Sequence, residues 1–263
     1  MEQDRAVAPL RVLVIEDDVV VRELLEMLLP LEGHTVLSAE GGRQGLQLLE
    51  SEGGGIDVVL CDLHLPDFTA VELATGLRAA ACPATLLIAM SATPTNVEEI
   101  PPFEAFLHKP FVPADLTGAV AKARERHVST PRAEGSPKIG SRSTESLDAE
   151  ARLRAASPAL DEAIFSTLSA TLPAGQLLEL YAMTLQDVGQ RVDRMGAALA
   201  AGDVDQYRRE AHAIKGGCGM VGAVELRELA AAAEGGAMEC TPPLEDFMRA
   251  CARLRRMLDG RLT

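Results

Sequence analysis

The chain has 263 residues, enough for two domains of ordinary size, and 47% of them are hydrophobic, so a packed core is within reach. Aromatic residues make up 3%, with no Trp, which leaves Leu, Val, Ala and Met to fill that core. Of the formal charge of −14, most falls in residues 1–127, with 20 acidic against 9 basic side chains; neither this part nor residues 158–263 offers the clustered basic face that binding a phosphate backbone requires, which argues against direct nucleic-acid contact.

In chain order, short apolar runs at 11–15 (RVLVI), 35–38, 57–61 (DVVLC), 85–89 (TLLIA) and 105–107 read as strands. Helical patterns near 18–31, 41–52, 69–80, 95–100 and 113–127 alternate with them. Such alternation predicts βα units and an α/β doubly wound, five-stranded parallel sheet. The strands are continuously apolar, as expected when both faces of a sheet are covered. From 128 to about 150 the pattern dissolves into Ser, Thr, Pro and Gly, which predicts a flexible linker. With a short helix at 147–156, the linker extends to 157. From 158 onward only helical stretches occur, near 158–169, 174–200, 203–220, 223–234 and 244–259, punctuated by Gly202, Gly222 and Gly235–Gly236. Asp203, with Gln206 three residues later, resembles a capping box. Short connections predict antiparallel neighbours in an all-α bundle. The expected division is therefore 1–127, 128–157 and 158–263.

The five cysteines, Cys61, Cys82, Cys218, Cys240 and Cys251, are dispersed, odd in number and without a C-x-x-C pair. This reads as free thiols in a reducing compartment. No apolar run reaches the length of a membrane span, and the acidic start has no secretory pattern. A soluble cytoplasmic protein with no membrane partner is the expectation.

In the first part, Glu16 and Asp17 follow the first strand and Asp62 ends the third. In a sheet of order 2-1-3-4-5 these strands are neighbours, so the acids converge. Clustered carboxylates need a compensating cation, and Mg2+ suits a few carboxylates plus water and phosphate oxygens. The fourth strand ends on Ser91 and the fifth on Lys109. Carboxylates, a hydroxyl and an ammonium at neighbouring strand ends suit a phosphoryl site. Asp18 and Asp67 read as solvated loop acids. His64 reads as an ordinary exposed histidine, and His34, His108 and His127 carry no expected role.

In the second part, the stretch EAHAIKGGCGMVGA lies on a predicted helix. Helical spacing puts Arg208, His212, Lys215, Gly216 and Gly219 on one face, and Tyr207, Ala211, Ile214, Cys218 and Val221 on another. The apolar face should pack inward and leave His212 near the surface. Glycine costs about 1 kcal/mol in a helix relative to alanine. Several beside one histidine suggest a place kept clear for another protein to approach.

The combination VLVIEDD, VVLCDLHLPD, AMSA and FLHKPF resembles the receiver domain of bacterial response regulators over residues 10–127. That resemblance implies Asp62 as the phosphate-accepting aspartate and Glu16 and Asp17 as the acid pair that binds Mg2+. It further implies the backbone carbonyl of His64 as another metal ligand, and Ser91 and Lys109 as holders of the phosphoryl oxygens. Phe106 stands at the place of the aromatic switch residue, and Lys109–Pro110 at that of a cis peptide. Two departures stand out. Ala70 occupies a position that is commonly glycine. The segment from Ser91 to Lys109 is short and holds Pro94, Pro101 and Pro102, so a fourth helix near 95–100 should be short or absent. The dimerisation mode common among DNA-binding regulators uses that surface and is not expected here.

The His-x-x-Lys-Gly motif at His212, Lys215 and Gly216 resembles the histidine-phosphotransfer domain over about residues 160–260, an antiparallel four-helix bundle with the histidine on its second helix. This implies His212 as a phosphoryl carrier, with Lys215 stabilising the charge.

The two resemblances together imply a phosphorelay protein of a two-component system. Asp62 takes a phosphoryl group from the phosphohistidine of a sensor histidine kinase, hybrid or not. His212 exchanges phosphoryl groups with the aspartate of a receiver domain in a downstream response regulator. No nucleotide-binding glycine loop or kinase ATPase box is evident, so kinase activity is not expected. Three other readings stand beside this one. They are a first part that gates access to His212, an adaptor that keeps the folds without phosphorylation, and a piece of a larger hybrid kinase, against which Met1 and a short leader weigh. A phosphatase is disfavoured, because His64 stands where one such family has a second aspartate. A coil of about 23 residues spans roughly 27 Å, which permits Asp62 and His212 to meet within one chain.

Overall fold

The computed structural model describes residues 8–52, 54–92, 102–129, 158–236 and 241–262. Its first part is a five-stranded sheet of β1 (Arg11–Ile15), β2 (Thr35–Ala39), β3 (Val58–Asp62), β4 (Leu86–Ser91) and β5 (Ala105–His108). The order is β2-β1-β3-β4-β5, with every pair parallel. Val12 to Ile15 and Val58 to Cys61 have no solvent exposure, the consequence of an apolar run covered on both faces. One face is covered by α1 (Val19–Leu31) and α4 (Pro113–Ser129), the other by α2 (Gly42–Ser51) and α3 (Ala70–Ala80). α1 buries Leu24, Leu25, Leu28 and Leu29, one helical stripe.

In this first part the described elements match the sequence reading to within a residue or two, whereas in the second the first helix starts at Glu162, four residues later than expected, and the last ends at Leu262, three residues later. α4 extends through Ser129, two residues into the stretch expected as linker. The expected helices near 95–100 and 147–156 lie outside the described residues, as do Pro94, Pro101 and Cys240. The Lys109–Pro110 bond is cis.

The second part comprises α5 (Glu162–Thr171), α6 (Ala174–Ala201), α7 (Val204–Met220), α8 (Val224–Gly235) and α9 (Leu244–Leu262). α6 packs on α7 and α9, α7 on α8, and α8 on α9, which closes a ring of four with α5 against α6. Gly202 ends α6 in the left-handed region, at φ 70°. Asp203 caps α7 by accepting from the Gln206 N–H at 2.9 Å. The reciprocal half of the box is not made: the Asp203 N–H donates to the Ala198 carbonyl at 2.9 Å, and Gln206 Oε1 accepts from Arg209 at 2.8 Å. Tyr207, Ala211, Ile214, Cys218 and Val221 are all buried, so the apolar face of α7 packs as read.

The two parts touch. α1 lies on α6 and α7, and its buried leucines belong to the same continuous apolar core as Leu168, Met195 and Met220 of the bundle. Two of the loop acids have structural work. Asp18, expected as a solvated loop residue, is buried and caps α1, accepting from the Val20 and Val21 N–H groups at 3.0 Å each. Asp67 is exposed as expected, yet accepts from the Gly42 and Arg43 N–H groups at the start of α2.

Candidate functional site

The carboxyl ends of β1, β3, β4 and β5 bring the expected residues together. Glu16, Asp17 and Asp62 each offer a carboxylate oxygen within 4.8 Å of the others. Lys109 Nζ reaches between two of them, 2.5 Å from Asp62 Oδ2 and 2.5 Å from Glu16 Oε2. All but Asp17 are buried. The His64 N–H donates to Asp62 Oδ1 at 2.9 Å. Ser91 is fully buried, its Oγ 3.4 Å from His64 Nδ1.

Electrostatics follow from this crowding. Burial, reinforced by Asp62 and Asp18 and opposed by Lys109, pushes the Glu16 carboxyl well above the usual range. Burial and the neighbouring Asp62 and Asp18 raise Asp17 to about 6. Burial works against ionised Asp62, but the Lys109 charge and the hydrogen bonds from His64 and Lys109 outweigh it and hold its carboxyl below the usual range. For Lys109, burial favours the neutral amine, and Asp62 and Glu16 override it, so the ammonium persists. A site with three acids and one ammonium is short of positive charge. Its all-oxygen donor set fits a hard cation such as Mg2+.

On α7, His212 is half-buried. Its Nδ1 lies 2.7 Å from Glu234 Oε1 of α8, and Lys215 Nζ lies 2.5 Å from the other oxygen of the same carboxylate. A neutral imidazole bonded this way carries its proton on Nδ1 and leaves the Nε2 lone pair free. Burial would raise Glu234, but its bonds to His212 and Lys215 dominate and bring it down to about 2. A Cβ added at Gly216, next along the helix, would meet nothing within 4 Å.

These two clusters face each other. His64, expected as an ordinary exposed histidine, has its ring centroid 4.6 Å from that of His212, at 45°. One cleft of about 490 Å³ is lined by Glu16, Asp17, Asp62, His64 and Lys109 on one side and by Arg208, Arg209, His212, Gly216 and Glu234 on the other. Sequence reading passed over Glu234 and Arg191. Glu234 lies on the next helix, where only tertiary packing singles it out. Arg191 of α6 donates to Asp18 across the two parts at 3.2 Å.

Comparison with known proteins agrees with this layout. The profile described as "Response regulator receiver domain" matches residues 12–121, and that described as "Hpt domain" matches residues 179–261. The chain is a receiver–Hpt fusion. The receiver carries the acidic pocket, and the Hpt bundle carries His212. A probable transcriptional regulatory protein of Picosynechococcus is 29% identical over 134 residues, covering 46% of this fusion and 53% of that protein. The sensor histidine kinase AruS of Pseudomonas aeruginosa is 27% identical over 224 residues, covering 84% of this chain and 20% of the kinase. The fusion thus spans about half the length of the first relative and a fifth of the second. A solved response regulator receiver domain protein from Clostridium thermocellum is 24% identical, covering 44% of this chain and 95% of that one, with a TM-score of 0.38. The two domains place the fusion in two-component phosphorelay signalling. No helix among the described residues is long and apolar enough to cross a membrane.

Proposed function

We propose that the fusion is a relay step in which Asp62 accepts a phosphoryl group from the phosphohistidine of a sensor histidine kinase and passes it to His212 of the same chain, for delivery to a separate response regulator. The observation that carries this reading is the shared cleft: His64, two residues from Asp62, lies against the His212 ring. The alignment with a sensor histidine kinase covers more of the chain than either domain alone, which supports a kinase-fed relay. The domains are assigned as 1–127 and 158–263 with 128–157 as linker, and the compartment as the cytoplasm.

In the first transfer, a carboxylate oxygen of Asp62 attacks phosphorus, the N–P bond of the donor breaks, and its imidazole keeps the electron pair. In the second, Nε2 of His212 attacks the acyl phosphate. The N–P bond forms, the acyl O–P bond breaks, and the pair returns to the Asp62 carboxylate. Glu234 holds the Nδ1 proton throughout and offsets the positive charge that grows on the ring. Lys109 neutralises charge beside Asp62, and Ser91 and Lys109 hold phosphoryl oxygens. Lys215, tied to Glu234, stands ready for the group on His212. Glu16, Asp17, Asp62 and the His64 carbonyl would hold Mg2+, which would supply further neutralisation of charge on the phosphoryl oxygens.

The test uses a cognate kinase with labelled phosphate. In the relay, His212→Gln still labels at Asp62, and Asp62→Asn leaves His212 unlabelled. Normal labelling of His212 in Asp62→Asn refutes the relay and makes the receiver a gate on the bundle.

A further inference from the structure

The contact between the domains is built around one charge. Asp18 uses Oδ1 to cap α1, and its Oδ2 takes Arg191 Nη2 at 3.2 Å. Arg191 is nearly buried, with 12% of its side chain exposed, and spans three acids: Asp18, Asp187 at 2.6 Å and Glu210 at 3.4 Å. Within the bundle, Glu210 is already engaged by Arg194 at 2.9 Å and Gln206 at 2.6 Å. The guanidinium therefore has capacity left for one more carboxylate, presented from outside the bundle.

The surface beside it is cut to admit that carboxylate. At Gly217, one helical position past the open Gly216, a Cβ would stand 3.1 Å from Asp18 Oδ1 and 3.4 Å from the Cβ of Val20. Any side chain there would press on the capping turn of α1. Charge and shape thus meet at the same residue, Asp18. Behind it, Leu24 and Leu28 of α1 face Leu168 and Met220 of the bundle, so the turn is seated by apolar contact and oriented by the ion pair.

We infer that the Arg191–Gly217 surface of the bundle is a recognition site for receiver domains whose first helix begins with an acidic cap, and that this chain's own receiver occupies it through Asp18. The inference rests on the relay reading for its consequence, since seating the cap is what aims the pocket of Asp62 at His212. An outside receiver must displace this resident and present a like acid. One capped by a neutral residue docks more weakly.

The test is a double-mutant cycle in the full chain. Asp18→Asn keeps a capping side chain and removes the charge. Arg191→Gln removes its partner. Two readouts are taken: compactness by small-angle scattering, which requires no chemistry, and the rate of transfer from Asp62 to His212. Each single variant is expected to open the chain and slow the transfer about tenfold, the scale of a charged hydrogen bond. The double variant should be no slower than either single, because both remove one interaction. Should Arg191→Gln unfold the bundle, Asp18→Asn decides by itself, since it alters no bundle residue. A compact Asp18→Asn chain with wild-type transfer, or effects that multiply to about a hundredfold, overturns the inference. If the wild type is compact, both variants open it, and no transfer occurs in any of them, the relay reading fails and the recognition site stands.

Discussion

Glu234→Gln is the sharpest single perturbation of the Hpt site. The carboxylate joins His212 Nδ1 and Lys215 Nζ, at 2.7 and 2.5 Å, and its side chain is 29% exposed. Bringing an acid from 4.5 down to about 2 corresponds to about 3 kcal/mol at neutral pH for a buried group, and partial exposure reduces this to about 1–2 kcal/mol. Because the folded value lies below the unfolded one, this stability is fully present above pH 4.5 and is lost as pH falls through 4.5 toward 2. Glutamine keeps an oxygen for one donor and turns its amide toward the other. It should lower the melting temperature at pH 7, with the deficit shrinking on acidification. It should also slow phosphoryl transfer onto His212 by about ten- to a hundredfold, as when other carboxylate-held imidazoles lose their orienting partner. Melting curves at pH 7 and pH 4 and a rapid-quench transfer assay measure both effects. Wild-type transfer combined with an unchanged melting temperature at pH 7 refutes the reasoning.

Three further outcomes follow from the geometry. In chelator at pH 8, Asp17→Asn should melt higher than wild type: a folded value raised to about 6 means that stability is lost as pH rises from 3.8 through 6, about 3 kcal/mol if buried and about 1 kcal/mol after screening at this exposed side chain, or about 2–4 °C. Equal melting temperatures at pH 8 would discount the crowding of these acids. Saturating Mg2+ should raise the melting temperature of the wild type and not that of Asp17→Asn, and an equal rise in both removes Asp17 from the metal set. Gly216→Ala should gain up to about 1 kcal/mol in the bundle with transfer retained, whereas Gly216→Phe should fold but block transfer, which circular dichroism and the labelling assay distinguish.

Much of this was legible along the chain because the informative signals are local or periodic. Continuous apolar runs marked β1 and β3 as strands covered on both faces, and Glu16, Asp17, Asp62, Ser91 and Lys109 follow once strand order places those ends together. The faces of α7 follow from 3.6-residue spacing, and burial of Tyr207, Ala211 and Ile214 bears that out. What escaped depends on distant partners. Asp18 looks like any polar residue before a helix, and its second role requires Arg191, 173 positions away. Glu234 is 22 positions from His212, and the turn between α7 and α8 decides which residue of α8 arrives there. His64 is exposed as expected, and it carries no local sign that the His212 ring of the second domain will lie beside it.

His64 also yields the prediction that separates pocket chemistry from docking. Its main chain serves Asp62 through the N–H at 2.9 Å, and replacing the side chain leaves that bond in place. Its ring touches both sides: Nδ1 lies 3.4 Å from Ser91 Oγ and 3.7 Å from Asp62 Oδ1, and the ring centroid is 4.6 Å from that of His212. Loading Asp62 from a small donor such as acetyl phosphate requires only the pocket, whereas passing the group to His212 also requires the facing ring to be seated. His64→Ala should therefore slow loading from acetyl phosphate less than it slows the step from Asp62 to His212, which should fall by about tenfold, the scale of one ring contact at an interface. Loss of both steps together would mean that the side chain supports the pocket itself. Loss of neither would mean that the two rings merely lie side by side and that seating is left to α1 and the Asp18–Arg191 pair.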